Sequence, residues 1–372
     1  MHIALDTEFV WQRSYYANLG LIQAAMSDDF DRTRLPSEPP AIFDFPVKHE
    51  QQKSTLLIDP LNCNPSMMNA LISDPSVTKI LHDAVQDLQH IHHWCGALPV
   101  NIFDTRLAAG FCGMPSILSL RQLLINTQGI ELTKTETRTD WMRRPLSPEQ
   151  LEYAADDVAY LGAVMDLLLA KSRELGTYAW MTEELAKLDS PALYVEDSTR
   201  NAWKRIKVPV TAFTKPRQLI RLRELAAWRE ETARMKNLPR SWVVEDKLII
   251  DASINPPPSP DKVPKQELPH AFSKGFFETL QLAEELPEDD VPELRPVAST
   301  KLRDTATTVL KALAVEAEKV HVDPALFGSR AEVTYYCQNP ENPDHALNNG
   351  WRHDILGDRL RTLLPASSEL LL

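Results

Sequence analysis

Near residue 195 the spacing of apolar residues changes, and that change limits the chain to a mixed architecture followed by a helical one. Up to about residue 170, short runs of β-type composition at Ile3–Phe9, Leu19–Ala25 and Leu56–Asp59 alternate with helical periodicity at Val77–Trp94 and Ser147–Leu169. This order of elements predicts an α/β sheet domain. The last of these helices has a marked start: Ser147 can cap it, Pro148 suits its first turn and Gln150 completes a capping box. Beyond about residue 195 the strand signals largely stop. Leu219, Leu222, Leu225 and Ala226 share one helical face, and Phe276–Leu286 form a second amphipathic run. Between them Pro256, Pro257, Pro258 and Pro260 require a loop. An acidic, proline-punctuated stretch from Glu284 to Pro296 reads as a linker to a last helical unit at about Ser299 to Leu364.

The chain has 372 residues, 43% of them hydrophobic and 25% charged, which suits two or three globular units and neither a disordered nor a fibrous class. No apolar run approaches the roughly 18 residues that span a bilayer, and no basic segment leads into one at the N-terminus. A cytoplasmic location and no membrane partner are the resulting expectations. Cys63, Cys95, Cys112 and Cys337 are too scattered for a zinc ribbon or a disulfide framework. The net charge of -12 argues against nucleic acid, whose phosphates attract Lys and Arg. Its distribution is uneven, however. Residues 201–240 hold eleven Lys and Arg against three Glu, a local +8 that leaves about -20 for the remainder.

Hydrolysis of a phosphodiester by two metal ions needs several carboxylates converging on one point, because hard cations prefer oxygen ligands. The period of two puts Asp6 and Glu8 on one face of the first strand, opposite Ile3, Leu5, Thr7 and Phe9. Asp87 borders the apolar stripe of the Val77–Trp94 helix and is better placed than Asp83 to face a site. Tyr153 and Asp157 stand four apart and so share a helix face. Any one of these acids alone reads equally well as a solvated side chain. His90 and His92 fall about 160° apart on a helix and cannot converge on one ion.

Asp6-x-Glu8, Asp87 and Tyr153-x3-Asp157 stand in the order of the three motifs of the DEDDy class of 3′→5′ exonucleases. The flanking words resemble the ribonuclease D family: Ala4-Leu5-Asp6-Thr7-Glu8-Phe9-Val10, Leu19-Gly20-Leu21-Ile22-Gln23, Phe103-Asp104-Thr105 and Thr139-Asp140-Trp141 before Pro145-Leu146. This resemblance implies a ribonuclease-H-like α/β exonuclease domain over residues 1–180, followed by two small all-α helical bundles. It further implies two divalent ions, Mg²⁺ or Mn²⁺. Asp6, Glu8 and Asp157 hold one, Asp6 bridges to the other, Asp87 supports that second ion through water, and Tyr153 bonds the attacking water. Residues 208–290 resemble the helicase-and-RNase-D C-terminal (HRDC) domain through Leu222-Arg223-Glu224-Leu225 and Leu238-Pro239-Arg240. Residues 297–372 resemble a degenerate second copy.

A phosphate-tracking module would use Arg221, Arg229, Arg234, Lys236 and Arg240, with Arg143 and Arg144 as further candidates before the last catalytic helix. The expected activity is release of nucleoside 5′-monophosphates from RNA 3′ ends, in maturation of transfer RNA and other structured RNAs. No obligate protein partner is expected. A proofreading-type DNA exonuclease and a non-catalytic RNA-binding scaffold are the competing readings.

Overall fold

The computed structural model describes residues 1–31, 42–45, 55–132, 139–288, 291–292 and 299–364. These residues form two compact units, one of residues 1–10, 19–195 and 298–372, the other of residues 11–18 and 196–297.

The first unit is built on a six-stranded mixed sheet of β1 (His2–Val10), β2 (Asn18–Met26), β3 (Ile42–Phe45), β4 (Thr55–Ile58), β5 (Thr78–Leu81) and β6 (Ile102–Asp104). The order is β3-β4-β2-β1-β5-β6, with β2, β4 and β3 paired antiparallel and β1, β5 and β6 parallel. Its helices are α1 (Asn69–Ile72), α2 (Ala84–Cys95), α3 (Thr105–Gly110), α4 (Leu120–Gln128), α5 (Pro148–Ala159), α6 (Leu161–Leu175) and α7 (Tyr178–Ala186).

Two of the expected helices differ from the structure. The span expected as one helix from Val77 to Trp94 begins as β5, and α2 starts only at Ala84. Lys79, Ile80 and Leu81 are buried in a parallel interior strand, where both faces are covered and the alternating pattern that marks a strand disappears. The expected Ser147–Leu169 helix is divided at Tyr160 into α5 and α6, while the capping box at Ser147 and Gln150 forms as read.

The second unit is helical: α8 (Pro216–Lys236), α9 (Arg240–Val243), α10 (Asp246–Ile254) and α11 (His270–Glu285). Leu222, Leu225 and Ala226 of α8 form one core with Val243, Ile249 and Phe276. Part of the expected Glu284–Pro296 linker, residues 289–290 and 293–296, lies outside the described residues.

The C-terminal helices α12 (Thr300–Lys319), α13 (Arg330–Gln338) and α14 (Gly350–Leu356) belong to the first unit. The buried α12 stripe of Leu302, Ala306, Val309, Leu313 and Ala317 shares one hydrophobic cluster with Ile3, Leu5 and Ile80 of the sheet. Trp351 is fully buried edge-on against Phe111 and Phe327. Its indole donates to Glu184 Oε2 at 2.7 Å, and Arg352 clasps the same carboxylate at 2.6 and 2.9 Å. The segment expected to form its own bundle over 297–372 thus contributes to the core of the sheet unit. No helix among the described residues is long and apolar enough to cross a membrane.

Candidate active site

The site is assembled where β1, α2 and α5 meet. Along β1, Ile3 and Leu5 are fully buried, and the two acids face away from them. On α5 the spacing of four brings Tyr153 and Asp157 to the same side, where the neighbouring Tyr153 hydroxyl favours the ionised Asp157 carboxylate. Asp6, Glu8 and Asp157 each offer a carboxylate oxygen within 4.8 Å of the other two. Asp87 adjoins this trio from α2 and is held by a short hydrogen bond from the Thr7 hydroxyl. All five residues expected from the sequence are therefore brought together. Asp83, set aside in the sequence, is exposed in a left-handed conformation and pairs with Arg106.

Crowded acids in a protected place resist ionisation. Removal from water, then the charges of Asp87, Asp157 and Glu8, keep Asp6 well above the usual carboxylate range. Burial and then Asp157 and Asp87 push Glu8 up to about 9. Burial raises Asp157 to about 7 despite the lowering influence of the Tyr153 hydroxyl, and raises Asp87 to about 6. The Tyr153 phenol is raised as well, by burial first and then by Asp157, Glu8 and Asp6, so it stays protonated at neutral pH. An all-oxygen cluster with this much mutual repulsion fits hard divalent cations, which replace the displaced protons.

Supporting residues escaped the sequence reading. Asp104 is buried and accepts the backbone N–H groups of Asp83, Ala84, Arg106 and Leu107 at 2.8–3.2 Å. It thereby fixes the start of α2 and the station of Asp87. The Phe103-Asp104-Thr105 word carried that signal, but its partners at the start of α2 lie about 20 residues away.

The basic candidates fare differently. Arg229 is buried, bonding the Val244 carbonyl and Asp246. Arg221 pairs with Glu284 and bonds the Ser253 carbonyl. Arg234 and Arg240 converge on the Tyr15 hydroxyl and on Glu230, whose side chain is 1% exposed. Burial opposes ionisation of Glu230, yet Arg240, Tyr15 and Arg205 outweigh it and hold its carboxyl down at about 2. These four arginines thus bind the helical unit together, and Lys236 alone of the five expected on this module is exposed. Arg143 is exposed, whereas Arg144 is hydrogen-bonded on every side within the sheet unit.

Comparison with known proteins adds an independent line. Residues 45–172 match the family model described as 3′-5′ exonuclease, and residues 218–265 match that of the HRDC domain. The chain is 33% identical over 366 residues to ribonuclease D of Desulfotalea psychrophila, covering 96% of this chain and 91% of that one. It is 30% identical over 373 residues to ribonuclease D of Xanthomonas oryzae pv. oryzae, covering 98% and 93%. The crystal structure of Escherichia coli RNase D, an exoribonuclease involved in structured RNA processing, superposes with a TM-score of 0.78 at 29% identity. That likeness covers 97% of this chain and 92% of the other.

Proposed function

Because the chain belongs to the ribonuclease D family and is a 3′→5′ exoribonuclease, we propose that it releases nucleoside 5′-monophosphates by two-metal hydrolysis at Asp6, Glu8, Asp87 and Asp157. The observation that carries this reading is the convergence of Asp6, Glu8 and Asp157 within 4.8 Å. These three would hold one divalent ion, and Asp6 together with Asp87 would serve a second; Mg²⁺ or Mn²⁺ suits oxygen ligands alone. When bound, the ions supply activation of water and stabilisation of charge on the leaving 3′ oxygen.

The chain's own residues do the positioning. Thr7 holds Asp87 from the strand side, and Asp104 holds the helix that carries it. Tyr153 stays protonated, so its hydroxyl orients the attacking water instead of accepting its proton. Arg143 and Lys236 are candidates for phosphate contacts, weaker in number than the +8 segment suggests. Precursors of transfer RNA and other structured RNAs are the proposed substrates, in line with the structured RNA processing of the E. coli enzyme.

The test uses matched RNA and DNA oligonucleotides, labelled at the 5′ or the 3′ end, with and without Mg²⁺. A stepwise ladder from 5′-labelled RNA, with immediate mononucleotide release from 3′-labelled RNA, supports the reading. Equal rates on DNA would favour the proofreading-type alternative.

A further inference from the structure

We infer that Arg144 is a positioning residue that locks the loop carrying Trp141 beneath Tyr153, and that it acts on turnover through that tyrosine instead of contacting RNA. The inference rests on the role given above to the Tyr153 hydroxyl.

A guanidinium has five N–H donors, and all five of Arg144 are used inside the sheet unit. Nε donates to Asp59 Oδ2 at 2.8 Å and Nη2 to Asp59 Oδ1 at 2.6 Å, a two-pronged pair. Nη2 also reaches the Gly20 carbonyl at 2.7 Å, and Nη1 the carbonyls of Trp141 at 2.8 Å and Arg143 at 3.0 Å. Asp59 is 4% exposed and is further held by the Leu61 N–H and the Asn62 amide. Nothing remains on Arg144 with which to hold a phosphate.

The clamp joins β2 and the end of β4 to the 141–144 loop. Trp141 lies so close on β2 that a Cβ at Gly20 would stand 2.7 Å from the Trp141 carbonyl oxygen. The indole, 3% exposed, packs with Leu21, Leu57 and Ala154. Its ring centroid is 6.2 Å from that of Tyr153. The same loop leads into the cap of α5, where Gln150 also bonds Thr139. Arg144 therefore fixes both the floor under the tyrosine and the start of the helix that carries it. Lysine, a point charge, cannot reproduce a two-pronged pair and three carbonyl bonds together.

The experiment measures single-turnover RNA hydrolysis in Mg²⁺ and equilibrium RNA binding in EDTA for Arg144→Lys, Asp59→Asn, Tyr153→Phe and the Arg144→Lys/Tyr153→Phe double variant. Circular dichroism checks that each is folded. Gly20→Ala, whose Cβ displaces Trp141 and the carbonyls that Arg144 holds while leaving the Arg144 side chain itself intact, serves if Arg144→Lys does not fold. The expected result is a rate loss of about tenfold in Arg144→Lys and in Asp59→Asn, with Kd within about twofold of wild type and an unchanged salt slope. In the Tyr153→Phe background Arg144→Lys should cost less than about twofold more, the non-additivity of residues acting as a unit. Three outcomes overturn the inference: a full rate in Arg144→Lys, tighter RNA binding in Asp59→Asn as a freed guanidinium meets phosphate, or an equal tenfold loss in both backgrounds. A wild-type rate in Tyr153→Phe alone would remove the tyrosine's role and this inference with it. Failure of the clamp alone leaves that single variant slow.

Discussion

Replacing Trp351 by alanine should destabilise the nuclease unit although the residue lies in the C-terminal segment. The side chain is fully buried between Phe111 and Phe327, and its indole N–H is bonded to Glu184. Loss of a buried Trp typically costs ~3–5 kcal/mol in transfer and cavity terms. The lost bond to an otherwise paired carboxylate adds about 1 kcal/mol. About 4 to 6 kcal/mol is therefore expected, a fall in Tm on the order of 10 °C or more for a unit of this size. Urea and thermal denaturation followed by far-UV circular dichroism measure it, with nuclease activity assayed at low temperature on the folded fraction. A midpoint equivalent to less than about 1 kcal/mol of change would refute the reasoning. So would a chain ending near residue 297 whose remaining sheet unit melts as before, since the segment would then fold as a separate bundle.

The other predictions concern charge and chemistry. Tyr153→Phe should lower single-turnover rate on the order of 10² with substrate affinity little changed; a loss under about threefold makes Tyr153 a packing residue. Burial opposes ionisation of Glu184, but Arg352, Lys187 and Trp351 outweigh it and hold its carboxyl at about 2, so its contribution is complete above the unfolded value near ~4.3 and fades as pH falls toward 2. Glu184→Gln should accordingly lose roughly 2 kcal/mol at pH 7, after discounting for solvent screening, and the gap to wild type should close between pH 4.5 and 2; a pH-independent gap in urea midpoints refutes this. Mg²⁺ or Mn²⁺ added to EDTA-treated protein should raise its Tm, more at pH 8 than at pH 6, because ions must displace the protons that Glu8 and Asp157 hold up to about 9 and about 7. Asp6→Asn should abolish that metal shift.

The carboxylate site was legible because each part of it is local. Strand alternation pairs Asp6 with Glu8, helical spacing pairs Tyr153 with Asp157, and the capping box at Ser147 marks where α5 begins. Elements whose character comes from distant neighbours were less legible. β5 looked helical because a strand buried on both faces shows no alternation. The arginines of α8 were read correctly as a concentration of charge, but Asp246 and Glu284 are placed against Arg229 and Arg221 only by the fold. Tyr15, more than 200 residues before Arg234 and Arg240, completes their cluster around Glu230. Likewise the apolar stripe of α12 identifies a buried helix without saying that the sheet domain is what buries it.

The most direct measurement is the time course of a 5′-labelled single-stranded RNA with a free 3′ hydroxyl, run with wild type and with Asp6→Asn, each in Mg²⁺ and in EDTA. A carboxylate site that works through divalent ions predicts stepwise 3′ shortening with wild type in Mg²⁺, and no shortening under the other three conditions. A ladder from Asp6→Asn, or from thoroughly chelated wild type, would contradict it.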